Sequence, residues 1–182
     1  MPRLFTGIEL PAAVAADLAG LQGGLPNARW VDPGDFHITL SFLGDVSRAT
    51  ANEVDEMLAR LGKPAMRLRI VGLDLFGSKK PTSIFARVAR DSAMSELQAA
   101  HDSILRRLDV PVQKRRFTPH VTLARTARCE PGAIAKFMGQ AAGYMSDPFP
   151  VRRTVLYSAR DSVGGGPYHV ERTYPLREVE PA

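Results

Sequence analysis

Two short stretches of this 182-residue chain decide its fold: residues 36–44, FHITLSFLG, and residues 117–125, FTPHVTLAR. Each contains a histidine, a β-branched aliphatic residue, a threonine and a leucine in that order, with the histidines 83 positions apart (120 − 37). Each is followed by a turn and then by a segment with helical periodicity. This repeat predicts an internal duplication in which each half contributes one strand of the same design.

Side chains on a strand point alternately to its two faces. We therefore expect His37 and Thr39 to project from one face of the first motif strand, and His120 and Thr122 from one face of the second. The aliphatic residues between them would pack into the core. Two such strands related by pseudo-symmetry would place these four polar side chains around one shared space between two lobes.

The remainder of the chain also reads as alternating strands and helices. Strands are predicted over residues 3–9, 28–31, 36–43, 66–76, 83–90, 119–125, 150–158 and 168–176. Helices are predicted over residues 11–21, 47–61, 92–108 and 131–142, with caps at Ser47 and at Asp91 or Ser92 and a stop at Pro111. A Gly164–Pro167 turn joins the last two strands. Because no low-complexity linker interrupts the pattern, we expect residues 1–182 to form one domain with two lobes.

The composition favours a polyanionic partner. The chain has 24 Lys and Arg against 19 Asp and Glu, a net charge of +5 and a pI near 9.7, which attracts nucleic acid without proving that it is bound. Cys129 is the single cysteine, and no signal-like apolar stretch follows the start, so a reducing, cytoplasmic setting is expected. The apolar segments fall short of the roughly 20 residues that a membrane span requires.

The motif residues have the chemistry needed to open a cyclic phosphodiester. That reaction needs a base for the nucleophile, an acid for the leaving oxygen, and donors for the phosphoryl oxygens. Two imidazoles with an ordinary pKa near 6.5 and two hydroxyls meet these needs. The sequence shows no obvious metal constellation, and His-x-Thr is not zinc-ligand spacing. His101 and His169 have no repeated partner and are interpreted as structural or surface residues.

Residues 36–44 and 117–125 closely resemble the paired HxTx signatures of the 2H phosphoesterase superfamily. The chain length, motif separation and closing hairpin are similar to those of the RNA 2′,3′-cyclic phosphodiesterases, also called 2′-5′ RNA ligases. The resemblance implies an α+β, bilobal, pseudo-symmetric duplication, with two antiparallel-rich sheets flanking a central cleft and helices on the outside. It also implies an enzyme that hydrolyses a terminal 2′,3′-cyclic phosphate to a 2′-phosphate without a metal, and we expect no cofactor.

The same resemblance implies roles for individual residues. His37 would protonate the 3′ leaving oxygen and His120 would activate water, while Thr39 and Thr122 hold the phosphate. Arg125 matches a phosphate-binding arginine of the family, although strict alternation would send it to the face opposite His120. A β-bulge or a strand end would reconcile the two. Phe42, the pseudo-equivalent of Arg125, is a candidate base contact.

Two further features allow more than one interpretation. The basic segment Lys114-Arg115-Arg116 precedes the second motif, where it either steers a phosphate backbone or forms a solvated loop. Trp30, the single tryptophan, either packs in the core or stacks on a base.

The motifs also leave the substrate open. We expect a monomer, not bound to a membrane, that acts on RNA or a nucleotide with a 2′,3′-cyclic phosphate. The alternatives are another phosphodiester of a nucleotide, 2′-5′ ligation, or binding of RNA ends without catalysis.

Overall fold

A computed structural model describes residues 3–159 and 166–180. Within these ranges the chain forms four α-helices and ten strands. The helices are α1 (Ala12–Gly20), α2 (Arg48–Ala59), α3 (Ser92–Arg107) and α4 (Pro131–Ala141). The strands are β1 (Arg3–Glu9), β2 (Arg29–Trp30), β3 (His37–Gly44), β4 (Met66–Leu68), β5 (Ile70–Phe76), β6 (Ser83–Val88), β7 (His120–Arg125), β8 (Phe149–Val151), β9 (Arg153–Ala159) and β10 (Tyr168–Pro175).

Two four-stranded antiparallel sheets form the body of the molecule. The first sheet has the strand order β10-β9-β1-β3, and the second sheet has the order β2-β7-β6-β5. The two motif strands, β3 and β7, contact each other across the sheets, while α2 and α3 pack on elements of the first sheet and α4 packs on β5. The predicted α+β duplication, with two antiparallel sheets and helices outside them, is confirmed.

Two predicted strands are wrong in their extent, because each changes partner along its length. The strand predicted over residues 66–76 divides at Arg69 into β4 and β5, and the strand predicted over 150–158 divides at Arg152 into β8 and β9. β4 and β8 pair only with each other, as a separate two-stranded sheet. A continuous apolar pattern does not reveal this exchange, because burial persists on both sides of the break.

The predicted caps of α2 and α3 are confirmed by hydrogen bonds. The Ser47 hydroxyl accepts from the Thr50 N–H at 3.0 Å, and the Asp91 carboxylate accepts from the Met94 N–H at 2.9 Å. The predicted stop of α3 at Pro111 is wrong. The helix ends at Arg107, because Asp109 adopts a φ of 55° and the Val110 N–H turns back to the Leu105 carbonyl.

The largest core cluster joins the two halves of the repeat. Ile38 and Leu40 of β3 and Val121 and Leu123 of β7 lie in it together, and none is more than 4% exposed. Gly164 and Gly165 of the predicted closing turn lie outside the described residues, whereas the strands that the turn joins, β9 and β10, pair as predicted. Of the helices in the described ranges, none has the length and apolarity to cross a bilayer.

Candidate active site

The motif strands β3 and β7 follow the predicted alternation over their first four residues. His37, Thr39, His120 and Thr122 are half-buried, and the aliphatic residue after each of them is buried. Along both strands the burial runs half-buried, buried, half-buried, buried, buried, exposed. The fifth and sixth positions therefore break alternation in the same way in both halves.

A matched pair of β-bulges causes this break. In the first sheet Gly7 pairs with Thr39 but Thr6 pairs with Ser41, so Leu40 has no direct partner. In the second sheet Phe85 pairs with Thr122 but Ile84 pairs with Ala124, so Leu123 likewise has no direct partner. An extra residue in one strand returns the following side chains to the face they would otherwise leave.

The bulges explain how Arg125 and Phe42 reach the same space as the histidines. All six side chains singled out in the sequence line one cavity of about 310 Å³ between the two sheets. These residues are His37, Thr39, Phe42, His120, Thr122 and Arg125. We call this space the inter-sheet cavity.

Both histidines are oriented by the same backbone hydrogen bond. His37 Nδ1 lies 2.8 Å from the Asp35 carbonyl oxygen, and His120 Nδ1 lies 2.6 Å from the Thr118 carbonyl oxygen. Because a carbonyl only accepts, Nδ1 carries the hydrogen in both rings and Nε2 is the nitrogen that exchanges a proton. In each half, the residue two positions before the histidine therefore sets its tautomer.

The two Nε2 atoms differ in their surroundings. His37 Nε2 lies 3.0 Å from the Thr39 hydroxyl, which donates to a neutral ring and accepts from a protonated one. His120 lies in the field of the Arg125 guanidinium, which disfavours a second positive charge.

Burial is the main influence on both histidines, and it lowers the pKa of each below the ordinary value of 6.5. For His37 the hydrogen bond to Asp35 opposes this lowering of the pKa, the positive charge of His120 adds to it, and the Asp35 carboxylate opposes it again. For His120 the hydrogen bond to Thr118 raises the pKa, and Arg125 lowers it further.

Aromatic rings that the sequence analysis did not identify surround His37. The rings of Phe5, Tyr168 and Tyr157 have their centroids 5.0, 5.0 and 5.5 Å from the imidazole. They exclude water from one side of the ring, which is the source of its low pKa. Gly7 is the signal in the sequence, because a glycine inside a strand indicates a close approach by another group. A methyl group there would lie 3.2 Å from the Tyr157 ring.

Two rings of the second sheet enclose His120. Phe76 and Phe85 stack on each other at 4.0 Å, and both meet the imidazole edge-on, at 4.8 and 5.3 Å. Phe85 pairs with Thr122 as Gly7 pairs with Thr39, so Phe85 and Gly7 are pseudo-equivalent. Tyr157, from the neighbouring strand β9, occupies the space that Gly7 leaves open.

Asp35 is a further residue that sequence reasoning missed. Its carbonyl orients His37, and its carboxylate accepts from the Tyr168 N–H at 3.0 Å. One residue therefore fixes both the histidine and the start of β10. The turn at 33–35, capped by Asp32, brings it there.

The remaining predicted residues lie outside the cavity. Trp30 packs 5.5 Å from the Phe137 ring, which confirms the core interpretation. His101 is buried with Nδ1 2.8 Å from the Thr6 hydroxyl, and His169 is exposed. Arg115 and Arg116 line a second depression next to the inter-sheet cavity. Among residues 3–159 and 166–180, no three His, Cys, Asp or Glu side chains are grouped as metal ligands would be.

Two segments of the chain match the same family of known proteins. The family model of LigT-like phosphoesterases matches residues 8–85, which include the first motif, and residues 88–168, which include the second. The RNA 2′,3′-cyclic phosphodiesterase of Geobacillus stearothermophilus is 30% identical over 82% of this chain, and the chain spans 48% of that protein's length. The enzyme of the same name from Bacillus subtilis strain 168 is 27% identical over 72% of this chain and 75% of its own.

Solved structures share the whole fold. TT0787 of Thermus thermophilus has a TM-score of 0.81 with 23% identity, covering 97% of this chain and 98% of its own. LigT of E. coli, in a complex with 3′-AMP, has a TM-score of 0.74 with 22% identity, covering 97% and 99%. With both halves of the repeat matched by the family model, the chain belongs to the LigT-like phosphoesterase family.

Proposed function

We propose that this chain hydrolyses the terminal 2′,3′-cyclic phosphate of RNA to a 2′-phosphate, with His37 and His120 as acid and base. The observation that carries the proposal is the matched orientation of the two histidines in the inter-sheet cavity. Each presents Nε2 from the same strand position, with Nδ1 bonded to a carbonyl. The Geobacillus and Bacillus relatives, named RNA 2′,3′-cyclic phosphodiesterases, support the same reaction.

The two imidazoles divide the proton transfers. His120 Nε2 takes a proton from water as the water oxygen bonds to phosphorus. His37 Nε2–H gives its proton to the 3′ oxygen as the P–O3′ bond breaks, which leaves a 2′-phosphate monoester and a 3′ hydroxyl. The neighbouring charges support this assignment: the Asp35 carboxylate favours the protonated form of His37, and Arg125 favours the neutral form of His120.

The side chains around the histidines supply donors for the phosphoryl oxygens. The hydroxyls of Thr39 and Thr122 and the guanidinium of Arg125 all line the cavity. Such donors stabilise the charge that develops in the transition state. Phe42, 48% exposed at the cavity wall, is suited to stack on the terminal base. No step of this mechanism needs a metal or cofactor.

One chain is sufficient for this site. Both histidines, both threonines and Arg125 come from the two lobes of the same molecule. We propose that residues 1–182 form a single bilobal domain, which acts as a monomer on RNA or a nucleotide with a 2′,3′-cyclic phosphate.

Ring opening of a cyclic-ended oligonucleotide in EDTA tests the proposal. We expect a 2′-phosphate product, and a loss of at least ~10²-fold in kcat for His37→Ala or His120→Ala. His169→Ala, at an exposed histidine outside the cavity, is the matched control. A 3′-phosphate product would show that the 2′ oxygen leaves instead of the 3′ oxygen. Tight binding of the cyclic end with no turnover would indicate an RNA-end-binding module. A higher rate of cleavage of 2′-5′ dinucleotides, or of joining two RNA ends, than of ring opening would indicate one of the alternative activities.

A further inference from the structure

We propose that a groove beside the inter-sheet cavity binds the RNA chain that leads to the cyclic end, so that the preferred substrate is a polynucleotide. This inference rests on the proposed function. We call the depression the basic groove. Its volume is about 580 Å³, within the range of ligand-binding pockets.

The basic groove is continuous with the inter-sheet cavity. Six residues line both spaces, and the shared wall runs along β3, the β5–β6 hairpin and β7. These residues are Thr39, Phe42, Phe76, Ser83, His120 and Arg125. A chain whose last phosphate lies between the histidines would therefore enter the basic groove past His120 and Arg125.

The charge of the basic groove is complementary to a phosphodiester backbone. Arg125 lies at the junction with the inter-sheet cavity, and Arg115 and Arg116 lie further along the groove. Asp102 is the one carboxylate in its described lining. Both Asp102 oxygens already accept hydrogen bonds, from Ser41 Oγ at 2.6 Å and from Gln98 Nε2 at 2.9 Å. The positive charges of the arginines therefore dominate the electrostatic interaction of the groove with an anion.

Aromatic side chains lie between the charged ones. Phe42 and Phe76 stand at the junction, and Phe117 lies next to Arg116 in the groove wall. Aromatic rings interspersed with basic residues are typical of single-stranded nucleic acid sites, in which bases stack while the backbone contacts cations. The groove thus has both components of such a site.

The loop that carries the two arginines leads directly into the second motif strand. Arg116 lies two residues before Thr118, whose carbonyl orients His120. A phosphate held by Arg116 is therefore placed by the same short segment that sets the tautomer of His120. Lys114, the third basic residue of this segment, does not line the groove.

Two substrates and one double variant test the inference. Adenosine 2′,3′-cyclic monophosphate fills only the inter-sheet cavity, whereas a single-stranded RNA oligonucleotide with the same cyclic end also enters the groove. For Arg115→Gln/Arg116→Gln we expect kcat/KM on the oligonucleotide to fall roughly 10- to 100-fold. On the mononucleotide it should stay within about twofold. If the arginines contact two phosphates, the slope of log(kcat/KM) against log[salt] on the oligonucleotide should become shallower by about 1.4.

Matched controls separate local contact from overall charge. Arg152→Gln/Arg177→Gln removes the same two charges at exposed positions that line neither space, and Lys114→Gln removes a charge from the same loop. Both should affect the two substrates equally. If the groove variant also lowers the two rates equally, or lowers neither, the groove is not an RNA site.

The outcome remains informative if catalysis itself is absent. If the unmodified protein opens neither substrate, the proposed function fails, and fluorescence anisotropy with the same oligonucleotide decides about the groove. Weaker binding by Arg115→Gln/Arg116→Gln than by Arg152→Gln/Arg177→Gln supports the groove. Equal binding by the two variants overturns it.

Discussion

At the scale of single residues, the inter-sheet cavity holds two histidines with the same backbone hydrogen bond and different neighbours. Asp35 lies beside His37, and Arg125 lies beside His120. A repeat of identical motifs thus becomes an unequal pair through residues outside the motif. This inequality allows one ring to donate a proton while the other accepts one.

The burial of both rings has a consequence for the pH dependence of the enzyme. Because both histidine pKa values lie below 6.5, the singly protonated pair is most abundant in the free protein below that pH. We expect kcat/KM to peak below pH 6.5 and to fall as pH rises above it. The bound anionic phosphate favours the protonated rings, so the alkaline limb of kcat should lie at higher pH. Initial rates at constant ionic strength test this; a kcat/KM that rises from pH 6.5 to 7.5 would contradict it.

Arg125 should influence both the rate and the pH profile. If Arg125 binds the phosphate as proposed, Arg125→Gln removes that charge-assisted hydrogen bond, and we expect kcat/KM to fall roughly 10- to 100-fold. Loss of the positive charge also raises the pKa of His120, so the profile should move to higher pH. Arg125→Lys is the control: it keeps the charge and the position of the profile but loses the paired geometry. A profile unmoved in Arg125→Gln would argue against their coupling.

The sequence indicated the six cavity side chains but not the residues that orient and surround the histidines. His37, Thr39, His120 and Thr122 follow from the repeat and from strand alternation, which are local properties. Asp35 lies two residues before His37, but the turn that brings its carboxylate to Tyr168 is not part of the repeated motif. Phe5 and Tyr157 come from other segments, and no short-range pattern indicates that they reach His37. Gly7 alone gives a trace of them, because it marks the place that Tyr157 approaches.

At the scale of elements, the sequence left open the pairing between strands that are distant in the chain, whereas it predicted the closing hairpin of β9 and β10. The helix caps at Ser47 and Asp91 were predictable because a cap is a local hydrogen bond. The exchange of partners at Arg69 and Arg152 was not, because it depends on which strand lies alongside. The bulges at Leu40 and Leu123 leave no trace in the apolar pattern either, since the bulged residues and their successors are all buried.

A side chain at position 7 should lower the stability of the fold, because β3 and Tyr157 lie close to Gly7. A methyl group there would lie 2.6 Å from the Ile38 carbonyl oxygen and 3.2 Å from Tyr157 Cε2. We expect Gly7→Ala to lower the free energy of unfolding by about 1–3 kcal/mol, because β1 must move away from β3. Gly20 ends α1, and a methyl group added there would meet no atom within 4 Å outside the helix's own backbone. Gly20→Ala should therefore be neutral or stabilising by up to about 1 kcal/mol. Urea unfolding measures both; equal effects would refute the steric explanation.

At the scale of the whole molecule, one buried group links folding to pH. His101 is 1% exposed, and burial lowers its pKa to about 4. Between that value and the ordinary 6.5 of the unfolded chain, the unfolded state binds more protons. The stability that the neutral ring contributes is therefore complete above pH 6.5 and is lost as pH falls toward 4.

Replacement of His101 should flatten this dependence. In His101→Gln, which does not titrate, we expect the loss of stability between pH 6.5 and pH 4 to be smaller than in the unmodified protein by up to roughly 3 kcal/mol. Urea unfolding at several pH values gives the difference, and His169→Gln controls for the loss of a histidine at an exposed position. Parallel pH curves for His101→Gln and the unmodified protein would show that His101 is not the group responsible.

The paired bulges also have a consequence for how such a molecule can diversify. Positions 42 and 125 reach the inter-sheet cavity because of backbone geometry, and here they hold a phenyl ring and a guanidinium. A substitution at either position therefore changes the lining of the cavity in one lobe without altering strand pairing or the hydrophobic core. The two positions are thus independent places at which the chemistry of the cavity can be altered, one in each lobe.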